Sequence, residues 1–250
     1  MTTHTRESTS RFIEIDGLNL HYHDTEVGEC VLVMLHGGGP GASAWSNYRT
    51  NLPVFAQSYR VIAFDAPHYG QSDKPLSAYQ DTDFYAEVMA KALDKLGVKT
   101  ADFIGNSMGG TISLTLAMTR PELVGNLVLM GPGGLSLNLF HADPTEGVKR
   151  LMEFGAAPSR EALRAFISCM VHDQSLVTDE LVEERFADAT APGAQEAMRS
   201  MGMSFWNPET AEDGMLWREA PRLRRHTLLT WGREDRVNPL DGAMVALKLI

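Results

Sequence analysis

Cysteine is almost absent from this sequence, because only Cys30 and Cys169 occur among 250 residues. Two distant cysteines cannot form the disulfide framework of a small secreted domain, so we expect free, buried thiols in a reducing, cytoplasmic setting. The sequence also lacks a run of about 18 apolar residues, which predicts no membrane-spanning helix. Its first ten residues are polar, which predicts no secretory leader.

Positively charged residues are also few, since the sequence has 22 Lys and Arg but 32 Asp and Glu, which gives a formal net charge of −10. This balance argues against nucleic acid or an anionic membrane as a partner. An anionic small-molecule substrate would need a local cationic site. With 44% hydrophobic residues, the chain is typical of a folded protein with one large domain and an insertion.

Short apolar runs recur along the chain and alternate with helical patterns. They show no internal polar alternation, as expected for strands buried on both faces, at 31–35, 60–65, 101–104, 126–130 and 226–231. An alternating segment, 11–22, contains Asp16-Gly17 and predicts a hairpin. The pattern predicts an α/β fold whose mostly parallel sheet carries helices on both faces, with its core in residues 1–132 and 218–250.

Residues 133–217 interrupt this rhythm and predict consecutive helices, which we interpret as a lid over a substrate pocket. The expected N-caps are Asp143, Ser159 and Thr178. The segment is rich in methionine, which fits either an adaptable apolar pocket or ordinary lid core, at Met152, Met170, Met198, Met201 and Met203.

The segment Gly105-Asn106-Ser107-Met108-Gly109 fits the G-x-S-x-G pattern, after a predicted strand and before a predicted helix. In that context the turn raises the serine hydroxyl above the sheet, so Ser107 is the predicted nucleophile. The alternative is a serine that merely caps a helix. No cofactor or metal is required for such chemistry, and none is predicted.

A glycine run, His36-Gly37-Gly38-Gly39-Pro40-Gly41, follows the preceding core strand. We predict that the N–H groups of Gly38 and Met108 form an oxyanion hole. A phosphate loop is the alternative, but it would end in Gly-Lys followed by a hydroxyl residue. After the last predicted strand, Asp235 is the expected carboxylate of the triad, with Glu234 as its rival.

Taken together, these segments resemble the meta-cleavage product hydrolases, α/β-hydrolases that cleave carbon–carbon bonds in bacterial aromatic catabolism. The motifs that carry the resemblance are His36–Gly41, Trp45–Asn47, Gly105–Gly110, Met130–Gly134 and Gly232–Pro239. Within the family, the chain looks most like the actinobacterial diseco-steroid hydrolases, in Asn138–Phe140, Asp143–Arg150 and Met215–Glu219.

The resemblance implies hydrolysis of a 2-hydroxy-6-oxo-hexa-2,4-dienoate by Ser107, through dienol-to-keto tautomerisation and an acyl-enzyme. It implies that the substrate, an anionic small molecule, lies against Gly39, Asn47, Asn106, Ser175 and Arg185. Arg185 would bind the carboxylate, because a guanidinium forks onto it. A surface salt bridge to Glu180 or Glu184 is the alternative for Arg185. A homo-oligomer is also implied. His68 stands where the family has glycine, and we expect it to face solvent.

The family places its triad histidine one strand beyond the aspartate, whereas all eight histidines of this sequence precede Asp235. We therefore expect a truncated sheet that lacks its last strand and helix, with an exposed strand edge and very slow hydrolysis by these 250 residues. Two other functions stay open: an esterase or lactonase of the same fold, and a ligand-binding protein that has lost catalysis.

Overall fold

A computed structural model describes residues 4–76, 82–135, 144–206 and 214–250, with the side chains of Met201 and of residues 203–206 excepted. Seven strands of the described chain form one sheet, in the order β1-β2-β4-β3-β5-β6-β7. The strands are β1 Ser10–Ile15, β2 Leu18–Asp24, β3 Val31–Leu35, β4 Arg60–Phe64, β5 Ala101–Asn106, β6 Val124–Met130 and β7 Thr227–Thr230. The predicted mostly parallel α/β sheet is confirmed, because only β2 runs antiparallel to its neighbours.

Ten α-helices accompany the sheet in the described chain. They are α1 Arg6–Thr9, α2 Ala44–Tyr48, α3 Leu52–Phe55, α4 Thr82–Lys95, α5 Met108–Thr119, α6 Glu146–Ala156, α7 Arg160–Met170, α8 Asp179–Ala189, α9 Ala194–Trp206 and α10 Asp241–Leu249. None of the helices in these ranges is long and apolar enough to cross a bilayer.

The central strands β3, β4 and β5 are buried on both faces, as their unbroken apolar runs predict. Val33 and Leu35 of β3 pack in the core that includes α4 and α5, whereas Leu32 and Met34 of the same strand pack against α2 and α3 on the other face. The hairpin at Asp16-Gly17 is also confirmed, and both residues have positive φ, as a tight two-residue turn requires.

Helices α6 to α9 lie between β6 and β7 in the sequence, where the lid is predicted. They enclose a small core of their own, formed by Phe154, Leu163, Phe166, Ile167, Val177, Val182 and Ala189. Ser159 and Thr178 cap α7 and α8 through their side-chain oxygens, as predicted. Helix α6 begins later than expected, because Thr145 is its N-cap. The predicted cap, Asp143, lies outside the described residues, as do Asn138–Phe140.

One expectation about burial is wrong. Cys30 is exposed rather than buried, because the strand begins one residue later, at Val31, and Cys30 still belongs to the preceding bend. Cys169 is buried, as expected. Of the methionines in residues 133–217, Met152 and Met170 are 48% and 41% exposed, whereas Met198 packs against the core formed by α6 to α9.

Candidate active site

The carboxyl ends of the parallel strands β3, β5, β6 and β7 meet at one edge of the sheet, which is where α/β folds place their sites. Ser107 follows β5 at this edge and precedes α5. Its backbone has φ 51° and ψ −114°, a conformation that L-residues rarely adopt. Helix α5 starts at the next residue, Met108. The positive end of the helix dipole therefore favours negative charge at the turn.

The turn is possible because small residues surround it. A methyl group added to Gly109 would collide with the carbonyl of Leu35, at the end of β3. A methyl group added to Gly105 would collide with the backbone of Gly109 and Gly110. The two glycines of the motif thus allow helix α5 to approach β3 and β5 closely.

The glycine loop after β3 lies against this turn. A Cβ atom built on Gly37 would lie 3.4 Å from Cβ of Ser107, and one built on Gly38 would lie 3.3 Å from Cβ of Met108. The structure thus brings Ser107, Gly38 and Met108 together, as the predicted oxyanion hole requires.

His36 holds the start of this loop and is almost completely buried, at 1% exposure. Its Nδ1 lies 2.8 Å from the carbonyl oxygen of Gly37, and its Nε2 accepts a hydrogen bond from the N–H of Ala66 at 3.0 Å. A carbonyl can only accept, so Nδ1 carries the proton and the imidazole is neutral. Burial lowers the pKa of His36, which agrees with this assignment.

Asp235 lies beyond β7, beside the end of β6. Its Oδ1 accepts hydrogen bonds from the N–H groups of Val237 and Asn238, at 2.8 and 2.9 Å. Its Oδ2 lies 3.2 Å from a Cβ atom built on Gly131, the residue that follows β6. Glu234, the rival candidate, instead forms an exposed ion pair with Arg233.

Asn238 connects Asp235 to Ser107. Its side-chain Nδ2 donates to Ser107 Oγ at 3.3 Å and to the carbonyl of Gly131 at 2.7 Å, and the residue is 5% exposed. An amide N–H donates and cannot remove a proton, so Asn238 orients Ser107 without activating it. Among the described residues, no histidine forms a hydrogen bond with Ser107 Oγ.

His68 does not face solvent, and that expectation is wrong. The side chain is 6% exposed, with Nε2 2.8 Å from the carbonyl of Pro75 and Nδ1 3.0 Å from the hydroxyl of Tyr85. Since the carbonyl can only accept, Nε2 carries the proton and Tyr85 donates to Nδ1. Burial lowers the pKa of His68, so the ring is neutral near pH 7. These two contacts explain why the loop turns the side chain inward.

Arg185 of α8 is the cation of the site. It is 9% exposed, its Nε donates to the carbonyl of Pro40 at 2.8 Å, and its terminal NH2 lies 3.0 Å from a Cβ atom built on Gly39. Burial lowers its pKa to about 10, so the guanidinium stays charged near pH 7. The predicted alternative, a salt bridge to Glu184, is wrong, because Glu184 pairs with Arg49 at 2.7 Å. Glu180 is exposed and accepts from Thr178 at the start of α8.

The remaining predicted contacts divide into two groups. Asn47 and Asn106 lie together, with Asn106 Nδ2 3.5 Å from Asn47 Oδ1 and 3.2 Å from a Cβ atom built on Gly37. Ser175 is exposed and donates to Asp173 at 2.7 Å within its own turn, so this structure does not bring it to Arg185. The turn satisfies its hydroxyl locally, which the sequence pattern did not indicate.

A cavity of about 390 Å³, its open mouth included, lies between the glycine loop, residues 68–74 and helices α8 and α9. Lys74 and Asp188 give it one charge of each sign, and burial lowers the pKa of Lys74 and raises that of Asp188. Among the described residues, no group of His, Cys, Asp and Glu side chains is arranged to hold a metal ion.

Sequence reasoning missed three residues at this site: Asn238, Tyr69 and Tyr85. The signal for Asn238 was its place three residues after Asp235, where an Asx turn places a backbone N–H on the carboxylate. No local signal existed for Tyr69, whose hydroxyl donates to the carbonyl of Gly38 at 2.8 Å across 31 residues of sequence.

Comparison with known proteins shows the family to which the chain belongs. The family model described as the alpha/beta hydrolase fold matches residues 31–248. A 2-hydroxy-6-oxo-6-phenylhexa-2,4-dienoate hydrolase of Burkholderia cepacia is 40% identical over 96% of this chain and 85% of the relative. A 2-hydroxy-6-oxononadienedioate/2-hydroxy-6-oxononatrienedioate hydrolase of Comamonas testosteroni is also 40% identical, over 94% of this chain and 82% of the relative.

A solved structure leads to the same family. The meta-cleavage product hydrolase of Pseudomonas fluorescens IP01, in a serine-to-alanine mutant complexed with acetates, superposes with a TM-score of 0.85 at 33% identity. The match covers 98% of this chain and 87% of that one. The chain therefore belongs to the meta-cleavage product hydrolases of the α/β-hydrolase fold.

Proposed function

We propose that this enzyme hydrolyses the C5–C6 bond of a 2-hydroxy-6-oxo-hexa-2,4-dienoate, with Ser107 as nucleophile and Arg185 as the carboxylate-binding residue. One observation carries the proposal: Ser107 and the buried cation of Arg185 lie against the same glycine loop, at Gly37 and Gly39. A neutral ester would give this buried guanidinium no carboxylate to bind, so the arrangement favours an anionic substrate over the esterase alternative.

The spacing of the two groups suits the substrate. Gly37 and Gly39 are two residues apart, so their Cα atoms are separated by at most roughly 7 Å. Five bonds separate the carboxylate carbon from the C6 carbonyl carbon of an extended hexadienoate, which is roughly 6 Å. A carboxylate bound by Arg185 would thus place its C6 carbonyl near Ser107, with Asn47 and Asn106 beside the chain between them.

Tautomerisation must come first, because carbon is a poor leaving group. The 2-hydroxyl loses its proton and C5 gains one, which leaves ketones at C2 and C6. Ser107 Oγ then bonds to C6 and gives up its proton to a base. When the C5–C6 bond breaks, its electron pair passes to C5 and, through the C3–C4 alkene, to the C2 ketone. Water finally cleaves the acyl-serine and releases a carboxylic acid beside 2-hydroxypenta-2,4-dienoate.

The N–H groups of Gly38 and Met108 are the proposed donors to the oxyanion that forms at C6. These donors stabilise the oxyanion effectively because they are oriented before the reaction starts and need no reorganisation when the negative charge develops. Asp235 is the proposed acid of the triad, because one of its oxygens is held by backbone N–H groups while the other lies beside Gly131. It would orient and stabilise the base of the triad.

Three finer predictions belong to this proposal. The sequence motifs at 138–140, 143–150 and 215–219 favour a steroid-derived substrate, whereas the two relatives of equal identity are hydrolases of phenyl and dioate compounds. Free cysteines favour a reducing, cytoplasmic setting. A homo-oligomer follows from the family resemblance alone.

The test is a comparison of substrates. Steroid-derived, phenyl-substituted and dioate dienoates are supplied to the enzyme, and loss of the dienolate absorbance is followed together with chromatography of both products. We expect cleavage at C5–C6 and the highest kcat/KM for the steroid-derived compound.

Two results would revise the proposal. A higher kcat/KM for the phenyl compound would overturn the steroid preference while leaving the reaction intact. Failure to cleave any dienoate, combined with turnover of p-nitrophenyl acetate, would establish the esterase alternative instead.

A further inference from the structure

The glycine loop that carries the proposed oxyanion donor has an intrinsic problem. Gly37, Gly38 and Gly39 follow one another, and glycine loses more backbone freedom on folding than any other residue. A donor on a freely rotating segment would have to be oriented during the reaction, which would forfeit its advantage. Contacts outside the loop must therefore hold it.

Two side chains hold the peptide planes on either side of the Gly38 Cα atom. The carbonyl of Gly37, which shares a peptide plane with the N–H of Gly38, accepts from His36 Nδ1 at 2.8 Å. The next carbonyl, that of Gly38, accepts from the hydroxyl of Tyr69 at 2.8 Å. When both planes are fixed, the direction of the Gly38 N–H is fixed as well.

We propose that Tyr69 is a positioning residue for the oxyanion hole: its hydroxyl fixes the Gly38 carbonyl, and a buried His68–Tyr85 pair holds the turn on which Tyr69 lies. The ring of Tyr69 stacks edge-on against His36, with ring centroids 5.1 Å apart, so the two contacts on the loop support each other. Tyr69 is 7% exposed, and its hydroxyl therefore has little water to compete for it.

His68, which precedes Tyr69 and holds its turn, has a strained backbone. His68 has φ 77°, a left-handed conformation that disfavours any residue with a Cβ atom. Its ring is nonetheless fixed at both nitrogens, by Tyr85 on α4 and by the carbonyl of Pro75. The ring also packs edge-on against Tyr85, with centroids 5.8 Å apart. Glycine at position 68 would relieve the backbone strain but would remove both hydrogen bonds. The histidine therefore adopts a strained backbone conformation, and its ring makes the turn rigid.

This inference rests on Ser107 as nucleophile but not on the identity of the substrate. The test variant is Tyr69→Phe, which keeps the ring and removes the hydroxyl. Initial rates are measured with a dienoate and separately with p-nitrophenyl acetate, because an oxyanion forms in both reactions. Tyr22→Phe is the matched control, since it removes the hydroxyl of another buried tyrosine that lies in β2.

We expect Tyr69→Phe to lower kcat about tenfold on each compound that turns over, with KM changed less than twofold, because a misaligned donor weakens transition-state binding alone. Tyr22→Phe should stay within twofold of the parent in kcat. A tenfold decrease in kcat for p-nitrophenyl acetate, together with no cleavage of dienoates by either protein, would support the positioning role of Tyr69 and overturn the proposed substrate.

Three results would overturn the inference. They are a kcat within twofold of the parent for Tyr69→Phe, a rise in KM with unchanged kcat, and an equal loss of kcat in both tyrosine variants. If Tyr69→Phe did not fold, His68→Gly would decide by the same criterion. It tolerates the positive φ, and it should lower kcat threefold or more at unchanged KM.

Discussion

Replacement of Arg185 by methionine tests the substrate-binding half of this account. The guanidinium is buried, uses only Nε for the carbonyl of Pro40, and pairs with no carboxylate among the described residues. Its two terminal nitrogens can therefore donate to a substrate carboxylate. A hydrogen bond to a charged group contributes about 1.5–3 kcal/mol, so Arg185→Met should weaken dienoate binding by roughly 3–4 kcal/mol. At about 1.4 kcal/mol per tenfold, this is two to three orders of magnitude in Kd.

The assay is a titration of the dienolate absorbance against each protein, with thermal unfolding measured in parallel. Methionine has a similar length and no charge to desolvate, so Arg185→Met should not be much less stable than the parent protein. Arg49→Met is the matched control. Arg49 forms a half-exposed ion pair with Glu184, the residue beside Arg185, and such pairs contribute about 0–1 kcal/mol.

Arg185 also predicts a pH dependence. Burial favours the neutral form and lowers its pKa to about 10, so the charge is fully present below that value and is lost as the pH rises through it. Dienoate affinity should thus fall above pH 10. A change of Kd below threefold in Arg185→Met, or an equal loss in Arg49→Met, would refute the assignment of Arg185.

Two further predictions concern other parts of the chain. Among the described residues no histidine forms a hydrogen bond with Ser107, and Asn238 can only donate to it. Acylation of Ser107 by the 250-residue chain should therefore be slow, and added imidazole should accelerate it several-fold. An ordinary acylation rate that does not change with imidazole would instead indicate that one of the eight histidines serves as the base. Burial lowers the pKa of His23 to about 4. Between pH 6.5 and 4 the unfolded chain therefore binds more protons at this residue than the folded chain does. The free energy of unfolding should fall by up to about 3 kcal/mol over this pH range. Denaturant titrations of His23→Asn should show a shallower slope with pH than those of an exposed-site control, His172→Gln, and equal slopes would contradict the assignment.

The sequence predicts the sheet and the nucleophile turn well, because both depend on local patterns. Unbroken apolar runs such as Val31–Leu35 appear only where a strand is covered on both faces. The glycines around Ser107 are needed wherever a helix starts this close to two strands. Both signals lie within a few residues of the feature that they predict.

Other features depend on long-range packing, which local sequence patterns do not reveal. His68 turns inward because Tyr85 and Pro75 form hydrogen bonds with its ring, and neither partner is visible in the local pattern. Arg185 could equally have formed a surface pair by spacing alone; its burial against Pro40 depends on how α8 meets the glycine loop. Ser175 was assigned by family resemblance, and its own turn satisfies its hydroxyl instead.

The central claim is that Ser107 forms a covalent acyl intermediate. It can be measured by acid quench during turnover of a dienoate or p-nitrophenyl acetate, followed by trypsin digestion and mass spectrometry of the peptide spanning residues 100–149, since trypsin does not cleave between Arg120 and Pro121. This peptide should gain the mass of the acyl group, fragmentation should place the group on Ser107, and Ser107→Ala should abolish it. Product release at full rate from Ser107→Ala, or an acyl group on another residue, would contradict it.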